Sequence, residues 1–183
     1  MEKVISKETR TPDPGHKDSS LEMLLSEELK DMYGAESHQL MILPVMKRAA
    51  SSLKLKSVLA GHLDCTQDHV RSLQEVFEKM GQKADARKSE AILGITRECE
   101  TVIASTASGT ATRDAGLILA AQKLEHYEIA AYGSLAQLAR TLELDDIADI
   151  LETILLEEKE ADDLLTSLAE NYINLEASRE GKS

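Results

Sequence analysis

Apolar residues recur at helical spacing along most of the chain. In the second segment they run from Leu55 to Met80, and in the first segment they are Leu21, Leu25, Leu29, Met32, Leu40, Leu43 and Ala50. A period of three to four residues predicts amphipathic helices. The same period returns in three later segments, so we predict helices near 20–51, 53–80, 89–106, 112–142 and 145–176, and no sheet. Four long helices and one short helix with short connections predict an all-α four-helix bundle with an additional short helix.

The helix ends carry the expected signals. Ser19 or Ser20 can cap the free N–H groups of the first helix, and Gly81 is a normal C-terminal glycine for the second. Pro44 lies inside the first helical segment and removes one backbone hydrogen bond. We therefore expect the first helix to be kinked or shortened at this residue.

The chain divides into one domain with two tails. Residues 1–20 are polar, contain two prolines and show no apolar period, which predicts a flexible N-terminal tail. The helical domain is expected over 21–176, and 177–183 is expected to be a short C-terminal tail. A length of 183 residues is enough for one domain with a sizeable core.

Charge and cysteine content narrow the function classes. The net charge of −12 disfavours direct binding to a nucleic-acid backbone. Two cysteines do not make a disulfide framework and are expected to be reduced, which predicts a cytoplasmic protein. No apolar stretch approaches the roughly 20 residues that span a bilayer, and no secretory signal is expected at the N-terminus.

Polar residues of metal-binding types interrupt the apolar stripes of all four long helices. An ionised carboxylate in an apolar core costs several kcal/mol unless it is paired or bound to a cation. Basic residues on these faces are too few to neutralise the carboxylates, so the pattern predicts a metal pair near the middle of the bundle. Carboxylate and imidazole ligands favour iron or manganese over structural zinc. The candidate ligands are Glu36 in the first helix, His62, Cys65 and His69 in the second, Glu125 and Glu128 in the fourth, and Glu158 and Asp162 in the fifth.

Each candidate also has a structural interpretation. A single glutamate on a stripe can be an edge residue whose carboxylate reaches solvent. His62 is as compatible with a hydrogen-bonded core histidine as with a ligand, and Asp162 can simply flank its stripe. Glu157 is expected to face outward. Tyr33 and Tyr132 are expected in the core with their hydroxyls bonded to a carboxylate.

Several segments together resemble one family. These are ELKDMYGAE at 28–36, His-Leu at 62–63 with Thr66, EHYEIAAY at 125–132 and EEKEAD at 157–162. They are similar to the YciF/YciE family of bacterial stress proteins, and the resemblance covers about residues 21–172. It implies a ferritin-like bundle related to rubrerythrin, usually dimeric.

The resemblance also implies a ligand set. Glu36, Glu125, Glu128 and Glu158 match the carboxylates expected to hold a di-metal centre. The second helix departs from the pattern of the family, because the family typically has a glutamate where this chain has Cys65. A thiolate is a soft ligand and a neutral thiol a poor one, so we expect fewer than two tightly held irons per chain. In the other interpretation, Cys65 is a small buried apolar residue lining a depleted site.

Two functional hypotheses follow. The first is a cytoplasmic ferritin-like stress protein that binds one or two iron or manganese ions and acts in metal oxidation or peroxide detoxification. The alternative is a non-enzymatic bundle with a degenerate metal site that binds a protein partner. No catalytic residue is assigned. A homodimer is implied by the resemblance, with weak support from the apolar residues of the short third helix: Ile92, Ile95, Val102 and Ile103.

Overall fold

Helices account for nearly all of the computed structural model, which describes residues 19–181. The described residues contain no strand, which confirms the all-α prediction. Residues 1–18 of the expected N-terminal tail lie outside the described residues. The helices are α1 Ser20–Ala49, α2 Leu53–Lys79, α3 Glu90–Ser105, α4 Ala111–Thr141 and α5 Asp145–Leu168, followed by a π-helical turn at Ala169–Ile173 and the short α6 at Asn174–Ala177.

Four long helices form a closed ring around one core. Helix α1 packs against α2 and α4, and α5 packs against the same two helices. The short connections at 50–52 and 142–144 make antiparallel hairpins of α1–α2 and α4–α5. The longer crossover from α2 to α4 contains α3, which packs against α4 and α1. One long crossover between two hairpins is the connectivity of ferritin-like bundles.

The inward positions of the long helices alternate spacings of four and three residues. This alternation keeps one seam of each helix facing its neighbours, as in coiled coils. Polar side chains occupy the middle of the seam and apolar ones its two ends. In α2 the seam consists of Leu55, Leu59, His62, Thr66, His69, Leu73 and Val76, all of which are buried.

Pro44 does not shorten α1, contrary to one of the two outcomes expected for it. The helix continues past Pro44 to Ala49. A proline inside a helix costs about 3 kcal/mol. Leu43 and Met46 are fully buried on either side of it, and burying two such side chains contributes about as much. Tertiary packing therefore outweighs the local preference.

A buried carboxylate fixes the end of the bundle. Asp114, in the first turn of α4, accepts hydrogen bonds from the backbone N–H groups of Ser51 and Ser52, both at 2.7 Å, and from the Ser51 hydroxyl at 2.6 Å. These donors belong to the connection between α1 and α2. The first hairpin is thus held in register with α4.

The crossover approaches α1 closely at a glycine. The backbone N–H of Arg87 donates to the carbonyl of Lys30 at 3.0 Å. A Cβ atom added to Gly34 would lie 1.7 Å from the carbonyl oxygen of Arg87. Only glycine fits this position without moving one of the two backbones.

We predict that Gly34→Ala lowers the free energy of unfolding by about 1–3 kcal/mol, although alanine favours helix formation, because overpacking against a backbone forces a shift. The matched control is Gly61→Ala in α2, where the added Cβ meets nothing within 4 Å. This control should raise stability by about 0.5–1 kcal/mol. Urea denaturation of both variants tests the pair, and a stabilised Gly34→Ala protein would contradict the close approach.

Candidate metal centre

Buried ligand-type side chains from all four long helices meet in the middle of the bundle. Two groups can each offer one donor atom per residue, with all these atoms within 4.8 Å of one another. Glu158 belongs to both groups and so lies between two candidate metal positions. The first group is His62, Glu125, Glu128 and Glu158, and the second group is Glu36, His69 and Glu158.

An amide from α1 links two members of the first group. Gln39 donates from Nε2 to Oε1 of Glu128, and its Oε1 lies 3.3 Å from Nε2 of His62. The same His62 nitrogen is 3.6 Å from Oε1 of Glu125. Gln39 is fully buried and therefore fixes a carboxylate of α4 relative to an imidazole of α2.

His69 is the centre of the second group. Its Nδ1 lies 2.9 Å from Oε1 of Glu158 and 3.5 Å from Oε1 of Glu36. Its Nε2 points the other way and lies 2.8 Å from Oε2 of Glu157. The Tyr132 hydroxyl donates to Oε1 of Glu36 at 2.5 Å, which leaves Oε2 of Glu36 free of a hydrogen bond among the described residues.

Six of the eight candidate ligands from the sequence lie in these groups, and Cys65 does not. The expectation that Cys65 faces inward with His62 and His69 is wrong, because the Cys65 side chain is exposed. The seam steps by four residues from His62 to Thr66 and by three to His69, so the residue at 65 lies outside it. The Cys65 thiol is therefore not one of the groups that would hold an ion.

Asp162 also lies outside both groups. It is half-buried, accepts a hydrogen bond from Nε2 of Gln122 at 3.2 Å, and lies 3.4 Å from Nε2 of His126. Asp162 therefore flanks the apolar stripe, which was the alternative to its being a metal ligand. In α5 the step of three from Glu158 leads to Ala161, so Asp162 is displaced to the side of the seam.

Gln39 was not among the predicted site residues, because Leu40 was taken as the inward position of this turn. The signal was present in the spacing, since Gln39 follows Glu36 by three residues and precedes the buried Leu43 by four. Tyr132 is buried and bonded to a carboxylate, as expected. Tyr33 is half-buried and packs against the core, but the partner of its hydroxyl is the amide of Gln74 and not a carboxylate.

Burial opposes ionisation of most of the cluster. Burial raises the pKa values of Glu125 and Glu128 well above the usual value of 4.5, and the neighbouring carboxylate charges raise them further. Burial also raises the pKa of Glu36. Without a metal ion, these carboxylates are therefore stabilised as neutral acids.

Unlike the other three glutamates of the cluster, His69 and Glu158 have pKa values shifted in favour of their charged forms. Burial alone would lower the pKa of His69, but its contacts with Glu158 and Glu36 raise it to about 11. Burial likewise opposes ionisation of Glu158, yet contacts with His69 and Glu125 and the neighbouring imidazoles hold the pKa of Glu158 below 4.5. A charged imidazole is thus the cation that neutralises this part of the metal-free cluster.

The donor set fits a small hard cation. One oxygen each of Glu36, Glu125 and Glu128, and both oxygens of Glu158, are buried without a well-formed hydrogen bond among the described residues. An ion bonded at about 2.1 Å holds opposite ligands about 4.2 Å apart, so the 4.8 Å clusters need only a small contraction. Oxygen and imidazole ligands without thiolate suit manganese or iron.

This bundle, with one long crossover and a buried carboxylate–imidazole cluster shared by four helices, defines a ferritin-like protein. The profile of a family described as a domain of unknown function (DUF892) matches residues 20–178. Protein YciF of Escherichia coli strain K12 is 41% identical over 150 residues, which cover 81% of this chain and 90% of YciF. The chain therefore belongs to the YciF (DUF892) family.

Solved structures agree with this assignment. The crystal structure of the E. coli stress protein YciF matches with a TM-score of 0.81 and 39% identity, covering 86% of this chain and 99% of YciF. YcfI from Rhodopseudomonas palustris matches with a TM-score of 0.79 and 38% identity, covering 81% of this chain and 94% of YcfI. A Xanthomonas campestris protein at 23% identity and a TM-score of 0.68, covering 88% of this chain and 99% of that protein, shares the fold. No helix in the described part of the chain is long and apolar enough to cross a membrane.

The metal-free protein should lose stability as the pH rises. The raised pKa of His69 contributes stability that is complete below pH 6.5 and is lost as the pH approaches about 11. The raised pKa values of Glu125 and Glu128 also make the folded protein lose stability as the pH rises above 4.5. The lowered pKa of Glu158 changes stability only below pH 4.5, where the protein loses stability as the pH falls. Each proton held only by the folded state changes the free energy of unfolding by up to about 1.4 kcal/mol per pH unit.

Urea unfolding in the presence of chelator from pH 6 to 10 measures this dependence. The difference in stability between the wild type and His69→Gln should shrink as the pH rises. A wild-type protein that becomes more stable over this range would contradict the assigned charge on His69.

Proposed function

We propose that this chain is a ferritin-like stress protein that binds two iron or manganese ions, with the carboxylate of Glu158 between them. The observation that carries the proposal is the convergence of buried carboxylate oxygens without hydrogen bonds, from the three helices α1, α4 and α5, on two imidazoles of α2. Leaving such oxygens buried without a cation or proton would cost several kcal/mol each. Both ligand groups form without Cys65, so we propose two ions rather than the fewer than two expected from the sequence.

When bound, a redox-active pair would supply one-electron chemistry for oxidation of the metal itself or reduction of a peroxide. The residues of the chain would bind and orient the pair. Tyr132 holds one oxygen of Glu36, and Gln39 holds one oxygen of Glu128, so each of these carboxylates is fixed in place and keeps one buried oxygen without a hydrogen bond among the described residues. The side chains of the cluster are buried, and apolar side chains occupy the seam on either side of it.

The similarity to a protein described as a stress protein supports a role in stress responses. A cytoplasmic location, expected from cysteine content, is part of the same proposal. The alternative, a degenerate site in a bundle that binds a protein partner, makes the opposite prediction for metal content.

Metal content separates these functions. Protein loaded anaerobically with iron(II) or manganese(II) and desalted should hold two ions per chain by elemental analysis. Glu128→Ala removes a ligand of the first group only and should lower the content to about one. Glu158→Ala removes the shared ligand and should lower the content below one.

Glu160→Ala is the matched control, because Glu160 is an exposed glutamate on the same helix. It should keep both ions, and circular dichroism should show that all variants remain helical. A wild-type chain without metal, or equal metal content in all variants, would refute the proposal and favour the partner-binding alternative.

We also propose that the protein is a homodimer. The apolar residues of α3 support this less than the sequence suggested, because Ile92 is buried and Ile95 and Ile103 pack against the chain's own core. Large apolar side chains are instead exposed on the adjacent helices α4 and α5, including Leu119, Leu156 and Leu164, each between 55% and 59% exposed.

A second copy covering such side chains would remove apolar surface from water. Sedimentation velocity at micromolar concentration should therefore show twice the chain mass. A monomer at these concentrations would contradict the dimer.

A further inference from the structure

Glu157 connects the surface of the bundle to the buried cluster. It precedes Glu158 in α5, and its side chain is 45% exposed, as expected for an outward-facing residue. Yet its Oε2 lies 2.8 Å from Nε2 of His69, a side chain that is only 1% exposed. Two consecutive residues of one helix therefore contact the two nitrogens of one imidazole ring.

The ring of His69 has a defined inner and outer edge. Nδ1 faces Glu158 at 2.9 Å and Glu36 at 3.5 Å, and Nε2 faces Glu157. Only Nε2 forms a hydrogen bond, to Glu157, whereas Nδ1 forms none among the described residues despite its short distances to the two carboxylates. A histidine that binds an ion is neutral and carries one ring proton, which is held on the nitrogen that has the hydrogen-bond acceptor. A ring that donates from Nε2 to Glu157 has its lone pair on Nδ1, directed at the second group.

We propose that Glu157 is a positioning residue that makes Nδ1 of His69 a ligand for the ion of the second group. The inference rests on the proposed function, since it assigns a role toward the same centre. Histidine ligands generally donate their other N–H group to a carboxylate or carbonyl, which fixes the ring and strengthens the ligand.

The two histidines are held differently, so the effect is confined to one position. His62 directs Nε2 toward its group, and the partner of that nitrogen is the amide of Gln39 rather than an exposed carboxylate. A change at Glu157 therefore reaches His69 without touching His62. An ordinary surface ion pair would have little effect on either position.

Cobalt(II) titration of the chelator-treated full-length protein provides the test, with isothermal calorimetry for affinity and visible absorption for coordination. Glu157→Leu removes the acceptor and should lower the affinity of the second group for cobalt by about 10- to 100-fold. The affinity of the first group should change by less than about twofold. The absorption band of the second ion should also change. Glu157→Gln keeps an acceptor oxygen and should retain most of the second affinity. Glu160→Leu is the control for losing an exposed glutamate from α5 and should match the wild type.

The outcomes separate this inference from the proposed function. If the wild type binds two ions and Glu157→Leu binds both as tightly, the positioning role is wrong and the metal centre stands. If Glu157→Leu weakens both ions equally, or if Glu157→Gln is as impaired as Glu157→Leu, positioning of His69 through its hydrogen bond is likewise excluded. A wild type that binds no cobalt overturns both proposals.

Discussion

The structure depends on neutralising carboxylates that lie in a dry core. Glu36, Glu125, Glu128 and Glu158 are at most 1% exposed, and the bundle can close around them only if protons or cations balance their charge. In the metal-free protein, the raised pKa values of Glu125 and Glu128 favour their protonated forms, and the raised pKa of His69 favours its imidazolium form. Each bound ion would replace such protons, so metal binding and proton release are two sides of one equilibrium.

The sequence predicted the bundle and most of the cluster because both follow from one local pattern. Helical periodicity identifies each long helix, and a glutamate in an apolar stripe is visible without knowledge of the neighbouring helices. The errors arose at turns where either of two adjacent residues could be taken as the inward-facing one. Cys65 was placed inward beside His62 and His69, and Leu40 was taken as a stripe position, whereas the alternating spacing of the seam selects Thr66 and Gln39.

The remaining contacts could not be predicted because they depend on how far one helix is shifted along another. The pairing of Gln39 with Glu128, or of His69 with Glu157, requires a register between helices that no single stripe contains. That register is set at distant points, by the hydrogen bonds of Asp114 and by the glycine at 34 that admits the crossover. Both devices are recognisable in the folded protein and carry no distinctive local signal in the sequence.

The division of the ligands between the two hairpins has a consequence for folding kinetics. The α1–α2 hairpin supplies one carboxylate and both imidazoles, and the α4–α5 hairpin supplies the other three carboxylates. Neither hairpin alone can assemble a complete group, so an ion gains its full set of ligands only after the two halves have docked. Such an ion would act as a cross-link that forms late in folding. It would leave the rate of folding almost unchanged and slow the separation of the two hairpins, so the metal-bound protein would unfold more slowly.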